Sequence, residues 1–280
     1  AGVLDYLVPA DLTVGTLNAT LSEVAPRTGC VQTFVLVGSP ENADAMARAG
    51  FDVMSVATNH IKNCGLTSCG DRAFYETLDN LQRVGILPVG AGANHAEAMQ
   101  PVVIEIKGVR FGIISLGQLE ELAFAGENSP GIAILNEENL RAAIAHAREI
   151  SDVVIAMPHW GPEYSHHPNP SQLALARVAV DAGADLVIGN HTHYIQAFGE
   201  VNGIPFFYGL GNFVMDQTQE RERQQSLIVR VYFQGTEYLG YELFPVFSTR
   251  DGTLSLADPE ETEAILLKLE EINRRLPRPH

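Results

Sequence analysis

Positive charge is scarce in this chain: 18 Lys and Arg stand against 34 Asp and Glu, a net charge of −16. No basic block offsets the deficit. Such a surface repels a phosphate backbone, so nucleic-acid binding is disfavoured. A bound cation would still dominate its own surroundings and draw a single phosphate locally. Long apolar runs are also missing, and none approaches the ~20 residues that span a bilayer. The opening Ala1-Gly-Val-Leu-Asp5 lacks the basic n-region and apolar core of a secretion signal, which leaves removal of a leader or anchor compatible with the sequence. Cysteine is sparse, at Cys30, Cys64 and Cys69, and an odd count excludes complete internal pairing. A Cys64–Cys69 bridge, a Cys30–Cys64 bridge and unpaired thiols fit equally, and the spacing is a poor match to a zinc ribbon.

What is present is apolar substance: 46% of 280 residues are hydrophobic, enough for one large domain over residues 1–280. Short apolar runs alternate with amphipathic stretches. Ser39-Pro40 opens a helix over Glu41–Ala49 that stops at Gly50, and a strand follows at 52–57. Asp71 is placed to cap a helix over Arg72–Val84, with a short strand at Ile86–Val89. Strands Val102–Lys107 and Arg110–Leu116 join through Gly108, and 117–136 reads as a loop over the site. Helix Glu137–Ile150 leads to strand 153–157, and helix Pro170–Ala182 to strand 185–188. The pattern then turns antiparallel: Tyr194–Val201, the turn Asn202-Gly203 and Ile204–Tyr208 form a hairpin signature, continued by Ser226–Phe233 and Tyr238–Phe247. Asp258–Leu276 predicts a terminal helix and Pro277–His280 a tail. This mixture predicts an α/β (α+β) protein built as a four-layer αββα sandwich.

The chemistry collects at strand ends. Asp185–Ile188 runs into Gly189-Asn-His-Thr-His193, which aims His191 and His193 into one crevice. The strand from Asp152 delivers His159, and that from Asp52 ends in Asn59-His60. Imidazole is the commonest nitrogen ligand for divalent transition metals, and an asparagine carbonyl is a neutral oxygen ligand. Alone, His191 and His193 read as loop histidines bonded to carbonyls; beside His159 and Asn59 they read as metal ligands, with His60 on the substrate side for proton transfer. Asn212 either orients a ligand histidine or closes its own turn. Glu163 lies at the rim, and Trp160 packs or meets substrate. His166-His167 and the run Glu220–Arg223 read as solvated loops.

Ala57-Thr-Asn-His60 with Gly65, His159-Trp-Gly-Pro-Glu-Tyr164, Gly189-Asn-His-Thr-His193 and Tyr208-Gly-Leu-Gly-Asn-Phe213 occur in an order that resembles the CapA family. These are capsule synthesis, or poly-γ-glutamate biosynthesis, proteins of the calcineurin-like metallophosphoesterase superfamily. The similarity runs from about Asp11 to Asp216. It implies a metallophosphatase-like fold with a two-metal site for Mn, Zn or Fe, with Asn59, His159, His191 and His193 at ligand positions and His60 at the catalytic histidine. It also implies poly-γ-glutamate or a phosphorylated substrate, a membrane-bound synthesis complex as partner, and a place in the cell envelope or outside the cell. The chain departs from the family. It starts downstream of the strand that carries a Gly-Asp ligand, so that N-terminal strand is expected to be missing. Thr16-Leu17-Asn18 stands where Asn-Leu-Glu is usual, and Asn63 where an Asp follows the Asn-His motif. An imidazole and amide site without carboxylates holds hard ions poorly; Asp11 and Asp216 are the candidates to compensate. Two functions follow: a metal-dependent phosphoesterase-like hydrolase, or a non-catalytic envelope protein that binds or guides an anionic polymer.

Overall fold

The computed structural model describes residues 2–23, 36–62, 68–119 and 123–276, with 68–70 described for the backbone alone. Its elements in chain order are α1 (Leu4–Leu7), β1 (Val14–Thr16), β2 (Thr20–Leu21), β3 (Val37–Gly38), α2 (Glu41–Arg48), β4 (Val53–Ser55), α3 (Ser68–Arg83), β5 (Leu87–Val89), β6 (Ala91–Gly92) and α4 (His95–Ala98). Then follow β7 (Val102–Ile106), β8 (Val109–Gly117), β9 (Gly131–Ile132), α5 (Glu137–Ile150), β10 (Val153–His159), α6 (Pro170–Ala182), β11 (Leu186–Ile188), β12 (Phe198–Val201) and β13 (Ile204–Phe207). The chain closes with β14 (Gln225–Gln234), β15 (Glu237–Ser248), β16 (Leu254–Leu256) and α7 (Pro259–Arg274).

A six-stranded sheet, ordered β12-β13-β11-β10-β8-β7, carries the core. Its four middle strands are parallel, and the edge strands β7 and β12 return antiparallel through short hairpins. Every residue of β10 is buried, as expected of a parallel strand covered on both faces. Strand alternation then decides which layer each side chain meets. Val154 and Ala156 of β10, with Ile114 and Leu116 of β8, pack against α5 and α6. Val153, Ile155 and Met157 face the other way, toward Val53, Val89, Leu227 and Val229 of a second layer. That layer consists of β1-β4-β5, all parallel, and the antiparallel β14-β15-β16. Met54 and Val56 on its far side meet Ala43 of α2 and Phe74 and Leu81 of α3. Helix, sheet, sheet, helix is the αββα order that the sequence predicts.

Helices α5 and α6 have the predicted limits because their ends are written in local chemistry. Asn136 Oδ1 accepts from Asn139 N at 2.8 Å, while Asn169 and Gln172 cap each other reciprocally. Helix α3 departs from expectation: it begins at Ser68, so Asp71 lies within the first turn and pairs with Lys62 Nζ at 2.9 Å instead of capping. A carboxylate there is still favoured by the helix dipole. The stretch 117–136 is also more ordered than a loop. Strand β9 within it pairs with β6, and Ala123, Ile132 and Ala133 are fully buried. Asn63, Cys64, Gly65, Cys30, the side chain of Cys69 and the tail 277–280 lie outside the described residues, and with them the cysteine pairing.

The two sheets touch toward the C-terminal ends of β4 and β8. Ser55 Oγ and Ser115 Oγ are 2.7 Å apart across the gap. Gly117 lets its backbone pass close to Ala57, since a Cβ there would lie 2.5 Å from Ala57 O. Crevices at the carboxyl ends of parallel strands are where α/β folds bind ligands, and here that edge carries the histidines.

Candidate functional site

His159 is the next residue on the inter-sheet face after Val153, Ile155 and Met157, so strand geometry alone turns it toward the second layer. Its Nε2 stands 2.9 Å from Asn59 Oδ1, which β4 delivers from that layer. On its other side, His159 Nδ1 meets Asn190 Oδ1. The Asn190 amide is fixed because its Nδ2 donates to Pro158 O at 3.1 Å. His159 Nδ1–H therefore donates to Asn190, and the Nε2 lone pair faces the Asn59 carbonyl oxygen.

The loop after β11 is held in an uncommon backbone shape: His191 and His193 have φ of 96° and 59°. Non-glycine residues in this region store strain that surrounding structure must hold, and such strain collects at functional sites. Buried Thr192 is the clamp. Its Oγ1 donates to Tyr194 O at 2.9 Å, and its carbonyl accepts from Tyr164 N at 2.8 Å. His191 packs its ring 4.6 Å from that of His159. His193 Nδ1 donates to Asn212 Oδ1 at 2.8 Å, an orientation set by Asn212 Nδ2 donating to Arg223 O at 3.0 Å. The buried Nδ1 of His191 has no hydrogen-bond partner among the described residues. Glu163 Oε1 lies 3.9 Å from His191 Nε2 and 4.0 Å from His193 Nε2.

Asn59, His159, His191 and His193 thus meet at one corner, with Glu163 at its rim and Asn212 behind His193. His60 is close enough for its charge to disfavour protonation of all three histidines. Its backbone N–H donates to Asn18 Oδ1 at 3.1 Å, so the asparagine that replaces the expected glutamate anchors the His60 loop. Trp160 lies on the opposite, helix-facing side of β10 and is fully buried, out of reach of a substrate. Asp11 does not compensate for missing carboxylates: it pairs with Lys107 at the β7–β8 turn, the far end of β8 from Gly117. Asp216 is exposed. Among the described residues, no group of three His, Cys, Asp or Glu side chains is drawn together tightly enough to hold an ion as it stands.

Two contributors lie outside the residues read from the sequence. Asn190 sits inside the Gly-Asn-His-Thr-His motif, yet only its distance to His159 reveals it as the group that orients that ring. Arg223 is no solvated loop residue: its guanidinium stacks 3.9 Å over Tyr164, which stacks on His193 at 5.3 Å. His166 is likewise engaged, with Nδ1 2.8 Å from Ile195 O.

Burial holds the imidazoles neutral. His191 is pushed down to about 3, chiefly by desolvation and then by the charges of His193 and His60. His159 is lowered well below 6.5, chiefly by desolvation, and His193 is lowered for the same reason despite its bond to Asn212. An unfolded chain exposes these rings near 6.5 and takes up protons that the fold refuses. Their stability contribution is complete above that value and is lost as pH falls toward about 3. For His191 alone the loss between pH ~7 and ~4 is on the order of 3 kcal/mol. Urea melts of chelator-treated protein are expected to weaken steeply across this window, and less so in His191→Gln. A flat profile would contradict the burial of these rings.

A model of the bacterial capsule synthesis protein PGA_cap matches residues 1–217. The capsule biosynthesis protein CapA of Bacillus anthracis is 34% identical over 200 residues, covering 69% of this chain and 47% of that protein. The PGA biosynthesis protein CapA of Bacillus subtilis (strain 168) is 32% identical over 190 residues, covering 67% and 49%. The chain thus spans about half the length of these relatives. Among solved structures, a hypothetical protein from Thermus thermophilus superposes with a TM-score of 0.50 at 13% identity, covering 87% of this chain and 89% of the other, a likeness of fold alone. The strand-end motifs that build the histidine corner lie inside the matched region, and the chain belongs to the family of bacterial capsule synthesis proteins, PGA_cap.

Proposed function

We propose that the corner formed by Asn59, His159, His191 and His193 binds divalent transition-metal ions, and that the chain acts as a metallophosphatase-like phosphoesterase in poly-γ-glutamate capsule formation at the cell envelope. The observation that carries this reading is the convergence of Asn59, His159, His191 and His193 on one corner, with asparagines bonded behind two of the rings. His159 Nε2 and Asn59 Oδ1, delivered from different sheets, stand 2.9 Å apart, close enough for both to reach one cation beside them. The buried Nδ1 of His191 has no hydrogen-bond partner among the described residues, so nothing in the fold commits that ring to one tautomer. Imidazole and amide donors suit Zn, Mn or Fe.

A bound divalent ion polarises a phosphoryl oxygen and lowers the pKa of water. The chain's own groups do the rest. Asn190 and Asn212 fix the tautomers of His159 and His193 so that both keep an Nε2 lone pair for the site. His60, beside the cluster, is suited to protonate a leaving oxygen. The fully buried Trp160 and the clamped Thr192 keep the two histidine loops in place. A poly-γ-glutamate chain or a phosphorylated intermediate is the proposed substrate, with a membrane-bound synthesis complex as partner.

The test combines elemental analysis with hydrolysis of an aryl phosphate in added Mn²⁺ or Zn²⁺. Bound metal and turnover are expected in the parent chain, and His191→Ala should lose both by 100-fold or more. Neither metal nor turnover, together with binding of poly-γ-glutamate, would leave the polymer-guiding reading in its place.

A further inference from the structure

We infer that Glu163 is itself a ligand of the ion, supplying from the loop after β10 the anionic oxygen that Asn59 and the histidines lack; this rests on the corner being a cation site as proposed above. Glu163 Oε1 stands nearly equidistant from two ring nitrogens, 3.9 Å from His191 Nε2 and 4.0 Å from His193 Nε2. Among the described residues its ion-pair contacts run to these histidines and to no lysine or arginine. Because His193 spends its Nδ1–H on Asn212, its Nε2 offers a lone pair to the carboxylate. Two acceptors across that gap are spaced to share a cation. Zinc bonds to histidine nitrogen and carboxylate oxygen are each about 2.0–2.2 Å, so one ion bridges about 4 Å.

The approach of Glu163 is set by the backbone. The next residue, Tyr164, has φ of 58°, and its N–H donates to Thr192 O at 2.8 Å. Its ring stacks on His193, 19° between planes, and the Arg223 guanidinium lies 3.9 Å from the same ring's centroid. The loop that carries Glu163 is therefore locked to the loop that carries the histidines. The Glu163 side chain is 40% exposed and can turn the remaining fraction of an ångström onto an ion. Chemically, a single carboxylate would relieve the charge that neutral imidazoles and amides leave on a divalent ion. Asp11 pairs with Lys107 at the β7–β8 turn, whereas Glu163 stands beside two of the histidines.

The experiment titrates Zn²⁺ and Co²⁺ into the full chain, its Glu163→Gln and Glu163→Asp variants and His191→Ala, following heat and the visible Co²⁺ band. Glu163→Gln is expected to bind at least tenfold more weakly and to shift the Co²⁺ band, with Glu163→Asp intermediate. Urea melts in chelator should match the parent, because an exposed isosteric change leaves the fold intact. Parent-like affinity and an unmoved Co²⁺ band in Glu163→Gln, with binding lost in His191→Ala, would overturn the Glu163 assignment alone. No binding by the parent chain would overturn both it and the cation-site reading.

Discussion

Replacing Trp160 with alanine is expected to lower the unfolding free energy by about 3–5 kcal/mol, the usual range for deleting a fully buried large aromatic. The ring has no exposed surface, stacks on Tyr208 with centroids 5.9 Å apart, and donates from Nε1 to Tyr208 O at 3.0 Å. Its removal leaves a cavity and an orphaned carbonyl together. Gly189 belongs to the same knot, since a Cβ there would stand 2.3 Å from both Trp160 Nε1 and Tyr208 O. Gly189→Ala should therefore also destabilise, through overpacking. Because Trp160 N donates to Asn190 O at 3.2 Å, the loss should propagate to the histidine loops. Urea denaturation measures it. Trp160→Phe should retain most of the stability, and a Trp160→Ala cost below ~1 kcal/mol would contradict this packing.

Asn190→Ala is expected to weaken ion binding by about 10–100-fold, the usual effect of removing a group that orients a ligand histidine. In the parent chain Asn190 is anchored on one carbonyl: its N and Nδ2 both donate to Pro158 O, at 3.0 and 3.1 Å. That leaves Oδ1 to accept from His159 Nδ1, which fixes both the ring plane and the tautomer. Alanine strands a buried N–H, at a cost of about 1–3 kcal/mol in stability. It also frees the ring to present the wrong nitrogen. Calorimetric titration with Zn²⁺ reads the first effect and a urea melt the second. Asn190→Asp, which preserves the acceptor, should restore most of the affinity, whereas parent-like binding by Asn190→Ala would show that His159 needs no such support.

The elements most legible in the sequence were those whose signals are local. Capped helices such as α5 and α6, fully apolar strands such as β10, and the Asn202-Gly203 hairpin specify themselves within a dozen residues. Strands of two or three residues, such as β6 and β9, carry no period of their own and exist only because a distant partner pairs with them. The same division runs through the site. His159, His191 and His193 stand at the ends of readable strands, so their convergence followed from topology. Asn190 and Arg223 did not stand out, because their roles consist of distant contacts: 31 residues along the chain for the first, and farther still for the stack of Arg223 on Tyr164. Charge patterning assigns a mixed run such as Glu220–Arg223 to solvent, and only tertiary packing overrides that assignment. Trp160 shows the converse: proximity in sequence to a ligand histidine suggests a role at the site, but alternation along the strand turns it to the other face.

In the proposed site, side chains from two sheets share a cation. Crystals soaked in Mn²⁺ or Zn²⁺ and measured at the metal's absorption edge address it directly. An anomalous peak within about 2.0–2.3 Å of His159 Nε2 and the Asn59 carbonyl oxygen, and near His191 and His193, is the expected result. Full soaking with no peak at that corner, or with peaks only on the acidic surface, would contradict the account.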